Sequence, residues 1–174
     1  MLKFFYKKRV LNILIADDDQ EVAKLLKQIL ELRGHNVTIV EDGSRCITLC
    51  HLNKFDLIFI DYHMQGLNGT DVINIVRNNG QFPGTNTLAI REEGTSMKNT
   101  LIFAYTGDNS KNALHEFKIC GMNGAIVKPI DMKSINILLK NIETRVELDS
   151  EIIKKQINSK DLILFDILSP VIKV

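Results

Sequence analysis

Hydrophobic and polar positions along the chain follow two alternating periods. Short continuous apolar runs predict buried parallel strands, because a central strand of a parallel sheet is covered on both faces. Such runs predict five strands, at residues 11–16, 36–40, 56–60, 100–105 and 124–127. Between them, apolar residues recur at helical spacing and predict five helices, at residues 22–33, 44–53, 70–78, 109–119 and from 131 onward.

The alternation of strands and helices indicates the class of fold. Five strands separated by helices predict an α/β fold built on a parallel sheet. Right-handed crossover connections then place helices on both faces of that sheet. In an open sheet of this kind, the carboxyl ends of the strands lie along one edge, and ligands bind in the crevice there.

Polar residues directly follow four of the apolar runs. The first run leads into Asp17-Asp18-Asp19, and later runs lead into Asp61, Thr106 and Lys128-Pro129. Because the strand ends share one edge, we expect these side chains to form one pocket that holds acids, a hydroxyl and an ammonium. Such a pocket suits a divalent cation and a phosphoryl group.

These motifs, in this order, resemble the receiver domain of two-component response regulators. Asp17-Asp18 resembles the acidic pair of that family, and Asp61 resembles its phosphoacceptor. Thr106 resembles its switch hydroxyl, and Lys128-Pro129 resembles its lysine–proline step. The resemblance covers residues 11–146 and implies a flavodoxin-like, doubly wound, five-stranded parallel sheet in the order 2-1-3-4-5, with helices on both faces.

A metal site is part of what the resemblance implies. Carboxylates crowded at one site repel each other and raise one another's pKa, and bound Mg²⁺ relieves that repulsion. By the resemblance, Asp18 and Asp61 ligate Mg²⁺ directly and Asp17 does so through water. The backbone carbonyl of His63 is expected to add a further oxygen. The bland alternative is that Asp18 or Asp19 only caps a helix.

The resemblance also implies the reaction and its partners. Asp61 accepts a phosphoryl group from a histidine kinase or a histidine phosphotransfer protein, and the product binds a downstream protein differently. Lys128 holds one phosphoryl oxygen, Thr106 donates its hydroxyl hydrogen, and Pro129 follows a cis bond. The protein is expected to catalyse only its own modification and to turn over no external substrate.

Composition narrows the function classes. The net charge of the 174 residues is +1, which argues against a nucleic-acid partner. No apolar run approaches the roughly 20 residues that cross a bilayer, so we expect a cytoplasmic protein with no membrane contact.

Three cysteines are present, and Cys46 and Cys50 lie four apart beside His51. A metal or redox site is conceivable there, but buried thiols are favoured.

Three segments lie outside the expected core of the domain. Residues 1–10 form an N-terminal extension, and residues 79–99 form an inserted loop at the sheet edge opposite the pocket. Residues 147–174 form a C-terminal extension, which lacks a helix-turn-helix pattern but is apolar at residues 162–165. This extension is expected to pack on the chain's own surface, and dimerisation or docking of a partner is the alternative.

Two other functions fit parts of the pattern. One is a metal-dependent phosphohydrolase with an aspartyl nucleophile at Asp17, although Asp61 has no role in such an enzyme. The other is a pseudo-receiver that binds partners without being phosphorylated.

The family often has an aromatic residue at the position of Ala125, and Tyr105 should point elsewhere. Output through a shift of a loop or helix is therefore expected.

Overall fold

The computed structural model describes residues 9–77, 97, 100–143 and 162–165. Its strands are β1 Asn12–Ala16, β2 Asn36–Val40, β3 Leu57–Ile60, β4 Leu101–Thr106, β5 Gly124–Val127 and β6 Leu162–Leu164. Its helices are α1 Gln20–Glu31, α2 Gly43–Leu52, α3 Gly69–Arg77, α4 Lys111–Ile119 and α5 Met132–Glu143. The five predicted strands and five predicted helices are confirmed, with ends that differ by one or two residues in most elements.

The strands form one sheet in the order β2-β1-β3-β4-β5-β6. The first five strands pair in parallel, which confirms the flavodoxin-like order 2-1-3-4-5. In this register Ala16, the last residue of β1, lies opposite both Val40 and Ile60. Thr106 likewise lies opposite Val127. The aligned strand ends bring the residues that follow them to one edge.

A sixth strand extends the predicted five-stranded sheet. β6 pairs antiparallel with β5, with Ile163 opposite Ala125. Leu162 is buried in the apolar layer on one face of the sheet, and Phe165 is buried in the layer on the other face. The described part of the C-terminal extension thus packs on the chain's own sheet, as expected. The residues around it lie outside the described ones.

Helices cover both faces of the sheet. Leu30 of α1 and Leu138 of α5 are buried in one apolar layer. Ile47 of α2, Val72 of α3 and Phe117 of α4 are buried in the other. All three cysteines are buried in this second layer as free thiols, in keeping with the favoured interpretation. Within the described ranges, no helix has the length and apolar character needed to cross a membrane.

Local signals fix where the first helix begins and ends. The side chain of Asp19 caps α1 by accepting hydrogen bonds from the backbone amides of Glu21 and Val22. Beyond the helix, Gly34 has a φ of 82°, a left-handed conformation that favours glycine. The capping role suggested for this acidic run therefore falls on Asp19, and Asp17 and Asp18 remain available for the pocket.

Two predicted segments fall largely outside the described part of the chain. The extension at residues 1–10 is described only at residues 9 and 10. The inserted loop at residues 79–99 is described only at Met97, which is buried. Met97 contacts Arg77 and Thr100, at the sheet edge opposite the predicted pocket. The prediction that the rest of this loop avoids the pocket lies outside the described residues.

Candidate functional site

Three of the predicted side chains meet at the carboxyl edge of the sheet. Asp17 follows β1, Asp61 follows β3 and Lys128 follows β5. The Nζ atom of Lys128 lies 2.7 Å from Oδ2 of Asp17 and 3.0 Å from Oδ2 of Asp61. The lysine thus joins the ends of two strands that are not neighbours of its own strand in the sheet.

Three carboxylates form a cluster at this point. Asp17, Asp18 and Asp61 each place a carboxylate oxygen within 4.8 Å of the others. Asp17 and Asp61 are buried, whereas Asp18 is exposed. With Lys128 ionised, the three acids and one ammonium carry a net charge of −2, which a divalent cation would balance. Oxygen donors are also the ligands that Mg²⁺ and Ca²⁺ prefer, so the donor set fits such an ion.

Asp17 is the most deeply buried acid of this cluster. Its exposed fraction is 0%, and burial raises the pKa of its carboxyl, although the nearby Lys128 ammonium opposes that rise. Oδ1 accepts a hydrogen bond from the backbone amide of Asp19 at 3.0 Å. Oδ2 lies 2.7 Å from the Lys128 ammonium. Both oxygens of the buried carboxylate thus have a polar partner, and Oδ2 faces the charged centre of the cluster.

Lys128 is held in place from several directions. Burial by itself would lower the pKa of its ammonium, but Asp17 and Asp61 outweigh that effect, so its pKa is raised. Its backbone amide donates to the carbonyl of Thr106 at 2.8 Å, and its peptide bond to Pro129 is cis, as the resemblance implies. Lys128 therefore stays charged at neutral pH and faces the acids.

Thr106 and His63 lie beside the cluster in less direct contact. Thr106 is buried at the end of β4, and its hydroxyl oxygen accepts a hydrogen bond from the amide of Asp108 at 3.1 Å. The amide of His63 donates to Oδ1 of Asp61 at 3.4 Å, and the rest of the residue is exposed. The metal-binding role expected for the His63 carbonyl and the donor role expected for Thr106 remain predictions.

One contact near the site was missed in the sequence. The hydroxyl of Tyr62 donates to Oε2 of Glu116 in α4 at 2.7 Å. The ring of Tyr62 also packs edge-on against Phe117, with 5.1 Å between ring centroids. The residue after Asp61 is thereby tied to α4. No local pattern indicates such a contact between residues 54 positions apart.

Comparison with known families decides what kind of domain carries this site. A family model described as "Response regulator receiver domain" matches residues 13–140. The chain belongs to the response regulator receiver family. The family resemblance seen in the sequence is therefore confirmed, and the domain is a signalling module of two-component systems.

Curated relatives of this receiver domain include much larger proteins. The sensor kinase/phosphatase CqsS of Vibrio cholerae is 31% identical over 120 residues, which are 69% of this chain and 16% of that protein. The sensor histidine kinase AruS of Pseudomonas aeruginosa is 28% identical over 136 residues, which are 78% of this chain and 12% of AruS. The chain therefore spans only a small part of the length of these relatives.

Solved structures agree with the fold. The receiver domain of the Francisella response regulator 1452 is 24% identical, with a TM-score of 0.62, and the match covers 79% of this chain and 99% of that one. The chemotaxis response regulator CheY4 of Vibrio cholerae is 22% identical, with a TM-score of 0.63, and the match covers 77% and 99%. These matches confirm the flavodoxin-like architecture.

Proposed function

We propose that this receiver domain accepts a phosphoryl group on Asp61 in a Mg²⁺-dependent histidine-to-aspartate phosphorelay, and that phosphorylation changes its affinity for a downstream protein. The observation that carries the proposal is the position of the Asp61 carboxylate. It lies within the acid cluster, 3.0 Å from the ammonium of Lys128. A lysine beside the carboxylate, together with acids that can hold a divalent cation, suits the transfer of a group that carries several negative oxygens.

The proposed reaction is an in-line displacement at phosphorus. A carboxylate oxygen of Asp61 forms the new bond to phosphorus, the P–N bond of the donor phosphohistidine breaks, and the electron pair leaves with the imidazole nitrogen. Lys128 balances charge on one phosphoryl oxygen, and Thr106 donates its hydroxyl hydrogen to another. These residues position and neutralise the transferred group and form no covalent bond themselves.

A divalent cation completes the proposed site. Asp17, Asp18 and Asp61 would hold Mg²⁺, with the carbonyl of His63 as a further ligand, and their clustered carboxylate oxygens fit that ion. When bound, the ion supplies positive charge that offsets the crowded acids and the phosphoryl oxygens. Asp17 then keeps its charge in spite of its burial.

Partners follow from the proposed chemistry. The donor is a histidine kinase or a histidine phosphotransfer protein, and the recipient of the signal is a downstream protein. The proposal includes a cytoplasmic location, residues 11–146 as the receiver unit and no turnover of an external substrate. Since Ala125 is small and buried, we assign the output to a shift of α4, which is hydrogen-bonded to Tyr62, the residue directly after Asp61.

Labelling with a small phosphodonor tests the proposal. The wild-type chain, incubated with acetyl phosphate and Mg²⁺, should gain one phosphoryl group by intact-mass analysis. Asp61→Asn should gain none, because an amide cannot act as the nucleophile. Asp19→Asn is the matched control, since it changes an acid on the same edge that caps α1, and it should label like the wild type.

Three results would reject the proposal in different ways. Continued labelling of Asp61→Asn would move the phosphoacceptor elsewhere. An adduct on Asp17 with repeated turnover of a phosphate ester would indicate the aspartyl phosphohydrolase. No labelling of the wild type by acetyl phosphate or by a phosphorylated histidine phosphotransfer protein would indicate the pseudo-receiver that binds partners unmodified.

A further inference from the structure

The ring of Tyr105 contacts the lysine of the site. Tyr105 lies in β4 directly before Thr106, and its exposed fraction is 2%. Adjacent residues of a strand point to opposite faces, and the Tyr105 ring packs in the layer between the sheet and helices α1 and α5. The Nζ atom of Lys128 lies 4.9 Å from the centroid of that ring. This distance is within the range of a cation–π contact, about 6 Å.

We propose that Tyr105 is a positioning residue, whose ring holds the Lys128 ammonium in place for phosphoryl transfer to Asp61. The role rests on the proposed function. It goes beyond that function by adding a residue to which the proposed function gives no part in phosphoryl transfer or metal binding.

A lysine needs such support more than a rigid side chain does. Its ammonium ends a flexible four-carbon stem, and each contact that restricts the stem reduces the number of positions that the charge can occupy. The two carboxylates attract Lys128 from 2.7 and 3.0 Å, and the ring adds a third contact. Because the ring is packed in the core, its position does not depend on the contact with the lysine.

The ring also stays uncharged beside the acids. Burial raises the pKa of the Tyr105 phenol to about 12, with smaller contributions from Asp17 and Asp61. At neutral pH the phenol therefore adds no further negative charge to the cluster, and its π face attracts the ammonium. Pairing in the sheet places Tyr105 opposite Ile126, two residues before Lys128, so the contact is built into the register of β4 and β5.

Labelling rates in two backgrounds test the role. Tyr105→Phe keeps the ring and should retain most of the wild-type rate with acetyl phosphate. Tyr105→Leu removes the ring and should slow labelling about three- to tenfold, the range expected from loss of a partly desolvated cation–π contact. In the Lys128→Ala background, Tyr105→Leu should cause no further slowing, because the ring then has no ammonium to hold.

Several outcomes would overturn the role while leaving the proposed function intact. Equal slowing by Tyr105→Leu in both backgrounds would mean that the residue only packs the core. Slowing of Tyr105→Phe to the rate of Tyr105→Leu would point to the hydroxyl instead of the ring. Wild-type rates in Tyr105→Leu would leave the ring without a role. Absence of labelling in the wild-type chain would reject the proposed function and this role together.

A spectroscopic measurement keeps the test available if Tyr105→Leu does not fold. In the wild-type chain, a ring over the ammonium should shift the ε-methylene protons of Lys128 upfield in the NMR spectrum. Lys133, an exposed lysine of α5, provides the reference. Equal chemical shifts for the two lysines would overturn the contact.

Discussion

At the carboxyl edge of the sheet, two of three clustered carboxylates face one ammonium, whereas at the amino edge the guanidinium of Arg77 is surrounded by neutral acceptors. Its Nη2 atom donates to the carbonyls of Thr100 and Gly121 at 3.1 and 3.2 Å and to Oδ1 of Asn123 at 3.4 Å. Its Nη1 atom donates to the carbonyl of Met97. One arginine thus joins the end of α3 to the starts of β4 and β5.

The amino edge has the arrangement expected of a structural contact, whereas the carboxyl edge has the arrangement expected of a functional site. At the amino edge, both terminal nitrogens of Arg77 donate to oxygens, and burial lowers the pKa of the guanidinium without removing its charge. At the carboxyl edge, the buried carboxyl of Asp17 lies beside two further acids, and burial raises the pKa of this carboxyl. Ionisable groups whose burial costs free energy are typical of functional sites.

Removing the arginine of the amino edge should have the largest effect on stability. Arg77→Leu leaves the carbonyls of Met97, Thr100 and Gly121 without that donor, and we expect a loss of about 2–3 kcal/mol in the free energy of unfolding. Urea denaturation measures this loss. The labelling rate of the folded protein should not change, because Arg77 lies at the edge opposite the acids.

The matched control is another arginine. Arg45 is exposed on α2, and Arg45→Leu should change the free energy of unfolding by less than about 0.5 kcal/mol. Equal losses in the two variants would show that Arg77 does not organise the amino edge. A tenfold fall in labelling by folded Arg77→Leu would remove the separation between the edges.

Two glycines, one at each edge of the sheet, also allow the edges to be compared, with smaller expected effects on stability. A Cβ atom at Gly124, where β5 begins, would lie 2.3 Å from the carbonyl oxygen of Ile163 and 2.7 Å from the ring of Phe103. Gly124→Ala should therefore cost about 1–2 kcal/mol by thermal or urea unfolding. At Gly107, beside Thr106, a Cβ atom would meet nothing within 4 Å. Gly107→Ala should be nearly neutral, and a reversed order of the two variants would contradict the description of the β5–β6 contact.

Neutralising Asp17 should raise the stability of the fold, and this gain should be smaller than the losses expected for Arg77→Leu and Gly124→Ala. Burial raises the pKa of its carboxyl above the usual 3.8, so the folded chain binds this proton more tightly than the unfolded chain does. Stability from this group is present below pH 3.8 and is lost as the pH rises through the higher folded value. At pH 7 without Mg²⁺, Asp17→Asn should raise Tm by about 2–4 °C, which corresponds to about 1 kcal/mol.

The pH and metal dependence of that gain provide its controls. The gain should shrink as the pH falls toward 3.8, where the wild-type carboxyl also becomes neutral. Mg²⁺ should raise the Tm of the wild type and not that of Asp17→Asn, since the variant lacks one of the clustered carboxylates. Asp42→Asn, which preserves a helix cap on α2, should leave Tm within about 1 °C. A lower Tm for Asp17→Asn at pH 7 would contradict the assigned cost of burial.

Local sequence signals were enough to predict the strands and the residues that meet at the carboxyl edge. Each of those residues directly follows an apolar run, so its place depends on the strand and on little else. The sixth strand was not predicted, because the apolar residues 162–165 indicate burial but not the strand beside which they pair. The contact of Tyr62 with Glu116 and that of Tyr105 with Lys128 depend on tertiary packing, for which the sequence has no local pattern.

The most direct test of the central claim is to map the phosphoryl group after treatment with acetyl phosphate, with Mg²⁺ and with Mg²⁺ removed by a chelator. The claim is that the cluster of acids around Lys128 holds a divalent cation and that Asp61 is its phosphoacceptor. It predicts a single adduct on Asp61 whose formation requires Mg²⁺. An adduct on Asp17 or elsewhere, or an equal yield in the chelator, would contradict it.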